Sequence, residues 1–165
     1  MTKSQKGFTI VELVLYMAML TGFLAILMRI FTSSFDVQLD SQSQSAIEQD
    51  GRFILSRLTY DIARADSITT PSTLGGQGST LVLVIGGVNY TYTLTGNNLT
   101  LTANSQTDQL NSFNTQVSSV TFKRIGNSGA GNKDTVQIQY TLTSAITRTG
   151  GQHDTKSFQT TIGLR

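Results

Sequence analysis

A chain of 165 residues, 38% hydrophobic and only 13% charged, has room for one domain of modest core beside an apolar segment near its start. The formal net charge is +2. Lys3 and Lys6 precede the first apolar run, and without them ten basic side chains face ten acidic ones, so charge gives no reason to expect direct nucleic-acid binding. Cysteine is absent and His153 is the single histidine, which excludes disulfides, thiolate metal sites and thiol catalysis.

The chain opens with a short basic leader, Lys3-Ser4-Gln5-Lys6, that contains no acid. From Phe8 to Met28 the sequence is almost wholly apolar. That length matches a helix crossing a hydrocarbon layer of roughly 30 Å. By the positive-inside rule the leader stays cytoplasmic and everything after the span lies outside. No small-residue cleavage site of the secretory type follows the run.

A single carboxylate, Glu12, interrupts the apolar stretch. A charge near the middle of a membrane helix costs roughly 2.5 to 3.5 kcal/mol on insertion scales, so Glu12 needs a partner or a purpose. The residues around it, Lys6-Gly7-Phe8-Thr9-Ile10-Val11-Glu12-Leu13, resemble the class III signal of the type IV pilin and pseudopilin superfamily. The resemblance implies cleavage between Gly7 and Phe8 by a prepilin peptidase and N-methylation of Phe8. It also implies assembly with other pilin or pseudopilin subunits on an inner-membrane platform. Glu12 would then neutralise the α-amino group of Phe8 on an adjacent subunit, an attraction much stronger in lipid than in water.

Beyond Arg29 the helical pattern becomes amphipathic, and no proline interrupts it before Pro71. One continuous helix is expected from Phe8 to about Ser67. Ile47, Ile54, Leu58, Ile62 and Ala65 share one face, which should meet a sheet. Arg57, Asp61 and Arg64 are spaced to pair along the opposite, solvated surface. Gly51 looks like a weak point, costing about 1 kcal/mol relative to alanine. The segment from Gly51 to Ile68 is similar to the helix end of J-type minor pseudopilins and related minor pilins. The absence of cysteine departs from the C-terminal disulfide of many major pilins.

Ser67 to Gly78 reads as a linker loop. Thr80 to Ile85, Val88 to Leu94 and Leu99 to Thr102 alternate with period two around Gly86-Gly87 and Gly96-Asn97-Asn98, predicting a three-stranded antiparallel meander. Asn104 to Gln116 reads as a connecting loop. Val117 to Ile125, Thr135 to Ile146 and Lys156 to Leu164 supply three further strands. The expected fold is α+β, a long N-terminal helix packed on a C-terminal antiparallel sheet. The boundaries are a leader at 1–7, a membrane and assembly helix at 8–29, its amphipathic continuation at 30–68 and an external β domain at 69–165.

No catalytic constellation accompanies this pattern. His153 sits in a Gly-Gly-Gln-His-Asp loop with no companion histidine, and no serine lies in a nucleophile elbow. Asn127, Asn132, Asp134 and Asp154 offer oxygen ligands for Ca²⁺, but their spacing follows no known loop code. No other cofactor is expected. The resemblance implies a minor subunit of a type IV pilus or pseudopilus, held in the cytoplasmic membrane before assembly and afterwards in a filament at the cell surface or in the periplasm. The alternative is a membrane-anchored adhesin exposing its β domain; a tethered enzyme is the remaining class.

Overall fold

The computed structural model describes Gly7 and residues 9–126, 133–148 and 151–165. Helix α1 runs from Ile10 to Ala63. Among the described residues nine strands follow: β1 (Ser67–Thr70), β2 (Gln77–Gly78), β3 (Thr80–Ile85), β4 (Val88–Thr95), β5 (Asn98–Ala103), β6 (Gln106–Gln109), β7 (Thr115–Ile125), β8 (Thr135–Ser144) and β9 (Thr155–Gly163). The result is an α+β architecture in which a long apolar helix is followed by antiparallel β structure.

The chain divides into two compact units, Met1–Gln38 and Leu39–Arg165. Among the described residues of the first unit, Glu12 alone is partly shielded and every other side chain is exposed, although most are apolar. α1 is long and apolar enough to cross a membrane, and its most hydrophobic stretch buries nothing against the protein itself.

Among the described residues, the buried core lies wholly in the second unit. Ile47, Ile54, Leu58 and Ile62 on α1, with Ala65 just beyond its end, are each 3% exposed or less, as their spacing predicts. They pack with Leu81, Leu83, Tyr92, Leu99, Phe122, Ile138, Tyr140 and Leu142 from the strands.

The strands form two antiparallel sheets. One has the order β1-β3-β4-β5-β6 and the other β2-β7-β8-β9. The predicted meander is β3-β4-β5, lengthened at both edges by segments expected to be loops. Asn104 and Ser105 adopt φ of 50° and 63°, so they close a tight hairpin between β5 and β6 without glycine. At the other edge, α1 stops at Ala63 rather than continuing to Ser67, and Ser67 and Ile68 belong to β1 instead of the amphipathic helix. Strand pairing explains the early stop. Asp66 donates its N–H to the carbonyl of Val84 at 2.8 Å, its carboxylate accepts Gly86 N–H at 2.7 Å, and the next residues run antiparallel to β3.

Candidate functional site

The first turn of α1 carries the sequence-predicted site. Thr9 is its N-cap: its carbonyl accepts the N–H of Leu13 at 3.1 Å and its hydroxyl accepts the N–H of Glu12 at 3.3 Å. Thr9-Ile10-Val11-Glu12 is thus a hydroxyl residue followed three positions later by a glutamate, the pattern of a capping box. Glu12 also sits where a negative charge complements the helix dipole, and Tyr16, one turn on, directs its hydroxyl at Glu12 Oε1 at 3.5 Å. The sequence contained this cap as a hydroxyl-x-x-Glu pattern ahead of an apolar run.

Gly7 lies before the helix and is exposed. A Cβ there would meet nothing within 4 Å, so the fold itself makes no demand for glycine. Phe8, the other half of the expected cleavage pair, lies outside the described residues. Gly22, in the exposed apolar part of α1, is equally unconstrained by its own fold.

The second cluster holds α1 against the first sheet, and here the sequence expectation is corrected. Asp61 is not on a solvated face. It is fully buried, accepts from Arg57 Nε at 2.9 Å and from Arg64 Nη2 at 2.8 Å, and accepts a hydrogen bond from the hydroxyl of Tyr92 on β4. The two arginines do pair with Asp61 at the predicted spacings, but they reach inward from the rim to a carboxylate beneath them. Partial burial works against the charge of Arg57, and the Asp61 carboxylate and Tyr92 phenol outweigh it, holding the guanidinium above its ordinary pKa. Burial, then Asp61, pushes the Tyr92 phenol well above its usual value.

Three turns earlier Asp50 forms a similar joint. It is 8% exposed, and its Oδ2 accepts from Ser112 N at 2.9 Å, from Ser112 Oγ at 2.7 Å and from the Thr115 hydroxyl. Beside it, Asn111 is buried, accepting Leu99 N–H at 3.0 Å and donating to the Thr115 carbonyl at 2.8 Å. Asp50, Asp61 and Asn111 are therefore internal fasteners. An isolated acid on a polar helix gives no sequence signal that its partners arrive from 31 to 65 residues away.

Two further acid–base joints tie α1 to β9 and to the segment preceding it. Arg148 pairs with Asp40 and with Asp154, the latter at 2.9 Å, and Lys156 pairs with Glu48. The carboxylates named for Ca²⁺ are thus engaged by arginine: Asp134 by Arg124 and Asp154 by Arg148. Asn127 and Asn132 lie outside the described residues. Among the described residues no group of three His, Cys, Asp or Glu side chains is placed to hold a metal. His153 is exposed, with Nδ1 at 2.9 Å from the Ser144 carbonyl.

No protein-family model matches this sequence, and no match to a curated protein or to a solved structure was found.

Proposed function

We propose that this chain is a minor subunit of a type IV filament, a pilus or pseudopilus, processed after Gly7 and assembled through its N-terminal helix. The observation that carries the reading is a capped helix start, Thr9 to Glu12, opening an apolar helix whose described side chains, Glu12 apart, are exposed throughout the first unit. Lipid covers such a surface before assembly, and the helices of neighbouring subunits cover it afterwards.

Two glycines support the reading. Gly7 is unnecessary for the fold, which supports a role in recognition by a peptidase that needs an extended, unencumbered backbone. Gly22 follows Ala18 by four residues on α1, and a small pair of that spacing lets a second helix approach closely in a membrane. The domain after the span would be carried outside the cytoplasmic membrane and then along the filament.

The test is the mass of the N-terminal peptide from membrane and filament fractions. The expected product begins at N-methylated Phe8, and replacing Gly7 by a bulky residue leaves full-length precursor. Recovery of the Met1 or Thr2 terminus from filament-associated protein overturns the reading.

A further inference from the structure

On the flank of α1 that faces the first sheet, Phe53, Arg57, Tyr60 and Arg64 recur at spacings of four, three and four, forming one stripe. Phe53 is 53% exposed and Tyr60 60%, high for aromatic side chains on the only helix packed into the core among the described residues. The stripe is held in place from beneath. Arg57 and Arg64 are both fixed by buried Asp61, and Arg64 stacks over Tyr60 at 4.5 Å and approaches the ring of Tyr90 on β4 at 5.4 Å. At one end, Asp50 binds Ser112 and Thr115 and so brings the intervening Phe113, 88% exposed, to the turn of α1 just before Phe53.

This surface has the composition of an interface core: aromatics and arginine, with no lysine and no accessible acid. Its arginines are already ordered, so binding would cost little further side-chain entropy. Two guanidinium groups share one carboxylate, leaving the stripe with an excess positive charge and N–H donors that Asp61 does not use. A four-three-four stripe is also the seam that a second helix packs into.

We propose that this stripe is a docking seam for an amphipathic helix of a different protein chain, one that places a carboxylate within one turn of apolar residues. Charge complementarity selects the acidic partner. A second copy is disfavoured because the four acids on the part of α1 within the Leu39–Arg165 unit are committed: Asp40 to Arg148, Glu48 to Lys156, Asp50 to the loop and Asp61 within the stripe. The inference rests on the filament reading, which makes that partner another filament subunit.

The test places a photo-crosslinking amino acid at position 53 or 60 of the full chain in its own cells, with position 52 as control. Arg52 is 82% exposed on another flank of α1. Crosslinks from 53 and 60 are expected at least tenfold above those from 52, joined to a helical peptide of another subunit that contains Asp or Glu. The double variant Phe53→Ser/Tyr60→Ser should lose them and incorporate poorly while still being processed. Equal crosslinking from all three positions overturns the seam, as does a product that is this chain itself, a nuclease-sensitive adduct or lipid. Those outcomes with normal processing and incorporation leave the filament reading standing. Failure of processing and incorporation in the unsubstituted chain sinks that reading instead.

Discussion

The carboxylate of Asp61 on α1 accepts a hydrogen bond from the Tyr92 hydroxyl on β4, joining residues 31 apart in sequence inside the core. With Arg57 and Arg64 closing over it, this bond converts a helix acid into the centre of the helix–sheet seam. Truncating Asp61 to alanine leaves two partly buried cations and a buried phenol without their acceptor, and should cost about 3–5 kcal/mol, as breaking a buried pair does. Arg57→Ala leaves Asp61 two remaining partners and should cost about 1 kcal/mol. Leu58→Ala, by contrast, empties a fully buried site for about 2–5 kcal/mol. Denaturant unfolding of the Leu39–Arg165 unit measures all three. Equal losses for Asp61→Ala and Arg57→Ala would show that the seam does not centre on the carboxylate.

The same bond predicts an alkaline limit. Burial, with Asp61 adding to it, raises the folded pKa of the Tyr92 phenol above its ordinary value of 10.0. A raised value means that the folded state holds the proton more tightly, so the contribution is complete below pH 10 and declines as the unfolded phenol ionises above it. Burial acts on Tyr140 in the same direction. Tyrosinate absorbance should therefore show Tyr92 and Tyr140 ionising together with unfolding. Tyr92→Phe should be less stable near neutral pH yet lose less stability between about pH 9 and about pH 11. An unchanged alkaline slope in that variant rules the linkage out.

Gly51 shows how a sequence rule can be right about cost and silent about purpose. Glycine weakens a helix interior. Here a Cβ would lie 2.7 Å from Cε2 of Phe158 and closer still to Cζ. That ring stacks on Tyr140 at 5.2 Å, and Tyr140 in turn donates to the Gly51 carbonyl at 2.7 Å, so the ring has little freedom to retreat. Gly51→Ala should destabilise by about 1–3 kcal/mol despite its better helix propensity. Adding Phe158→Ala should remove most of that penalty in a double-mutant cycle, and additive losses would argue against the close approach.

Glu48 supplies an acid-side counterpart. Its hydrogen bond to Lys156, against a smaller desolvation effect, lowers its pKa below the usual 4.5. A lowered folded value gives a contribution present above the unfolded pKa and lost as pH falls through the folded one. Wild type and Glu48→Gln should therefore differ in thermal midpoint at neutral pH and converge at about pH 3. A difference that persists in acid assigns the effect to packing.

What could be read from the sequence followed from local periodicity. Ile47, Ile54, Leu58 and Ile62 identify their own face, and β3 has the predicted boundaries because Gly86-Gly87 marks its turn, with φ of 57° and 81°. The β5–β6 hairpin was hidden because Asn104-Ser105 closes it without glycine. β1 was hidden because four residues after a long helix carry no alternation of their own. Asp61 was misplaced for a different reason: charge spacing reports which side chains can pair, not which side of the helix the sheet will cover. At the N-terminus, Gly7 and Glu12 are legible as a glycine at the basic-to-apolar boundary and a lone acid in an apolar run, and the cap by Thr9 is present as a hydroxyl-x-x-Glu pattern that the bond to Glu12 N–H makes explicit.

That cap sharpens the decisive experiment on Glu12. In the filament reading its charge pairs with the α-amino group of a neighbouring Phe8; in a purely local reading it caps and orients its own helix start. A capping box accepts Gln as well as Glu at the third helical position, so Glu12→Gln preserves the local role and removes only the charge. Glu12→Ala removes both, and it should leave membrane insertion intact or improve it, because the charge was unfavourable in lipid. Thr9→Ala weakens the cap by about 1 kcal/mol while leaving the carboxylate in place. If the Coulombic pairing governs assembly, Glu12→Gln and Glu12→Ala should both be inserted, processed and left out of sheared filaments, with Thr9→Ala incorporated nearly as well as wild type. Assembly of Glu12→Gln at wild-type level with loss in both Glu12→Ala and Thr9→Ala would instead make Glu12 a capping residue. Should Glu12→Ala itself be incorporated like wild type at equal membrane abundance, neither role operates in assembly, and a membrane-anchored adhesin that presents its β domain becomes the better account of the chain.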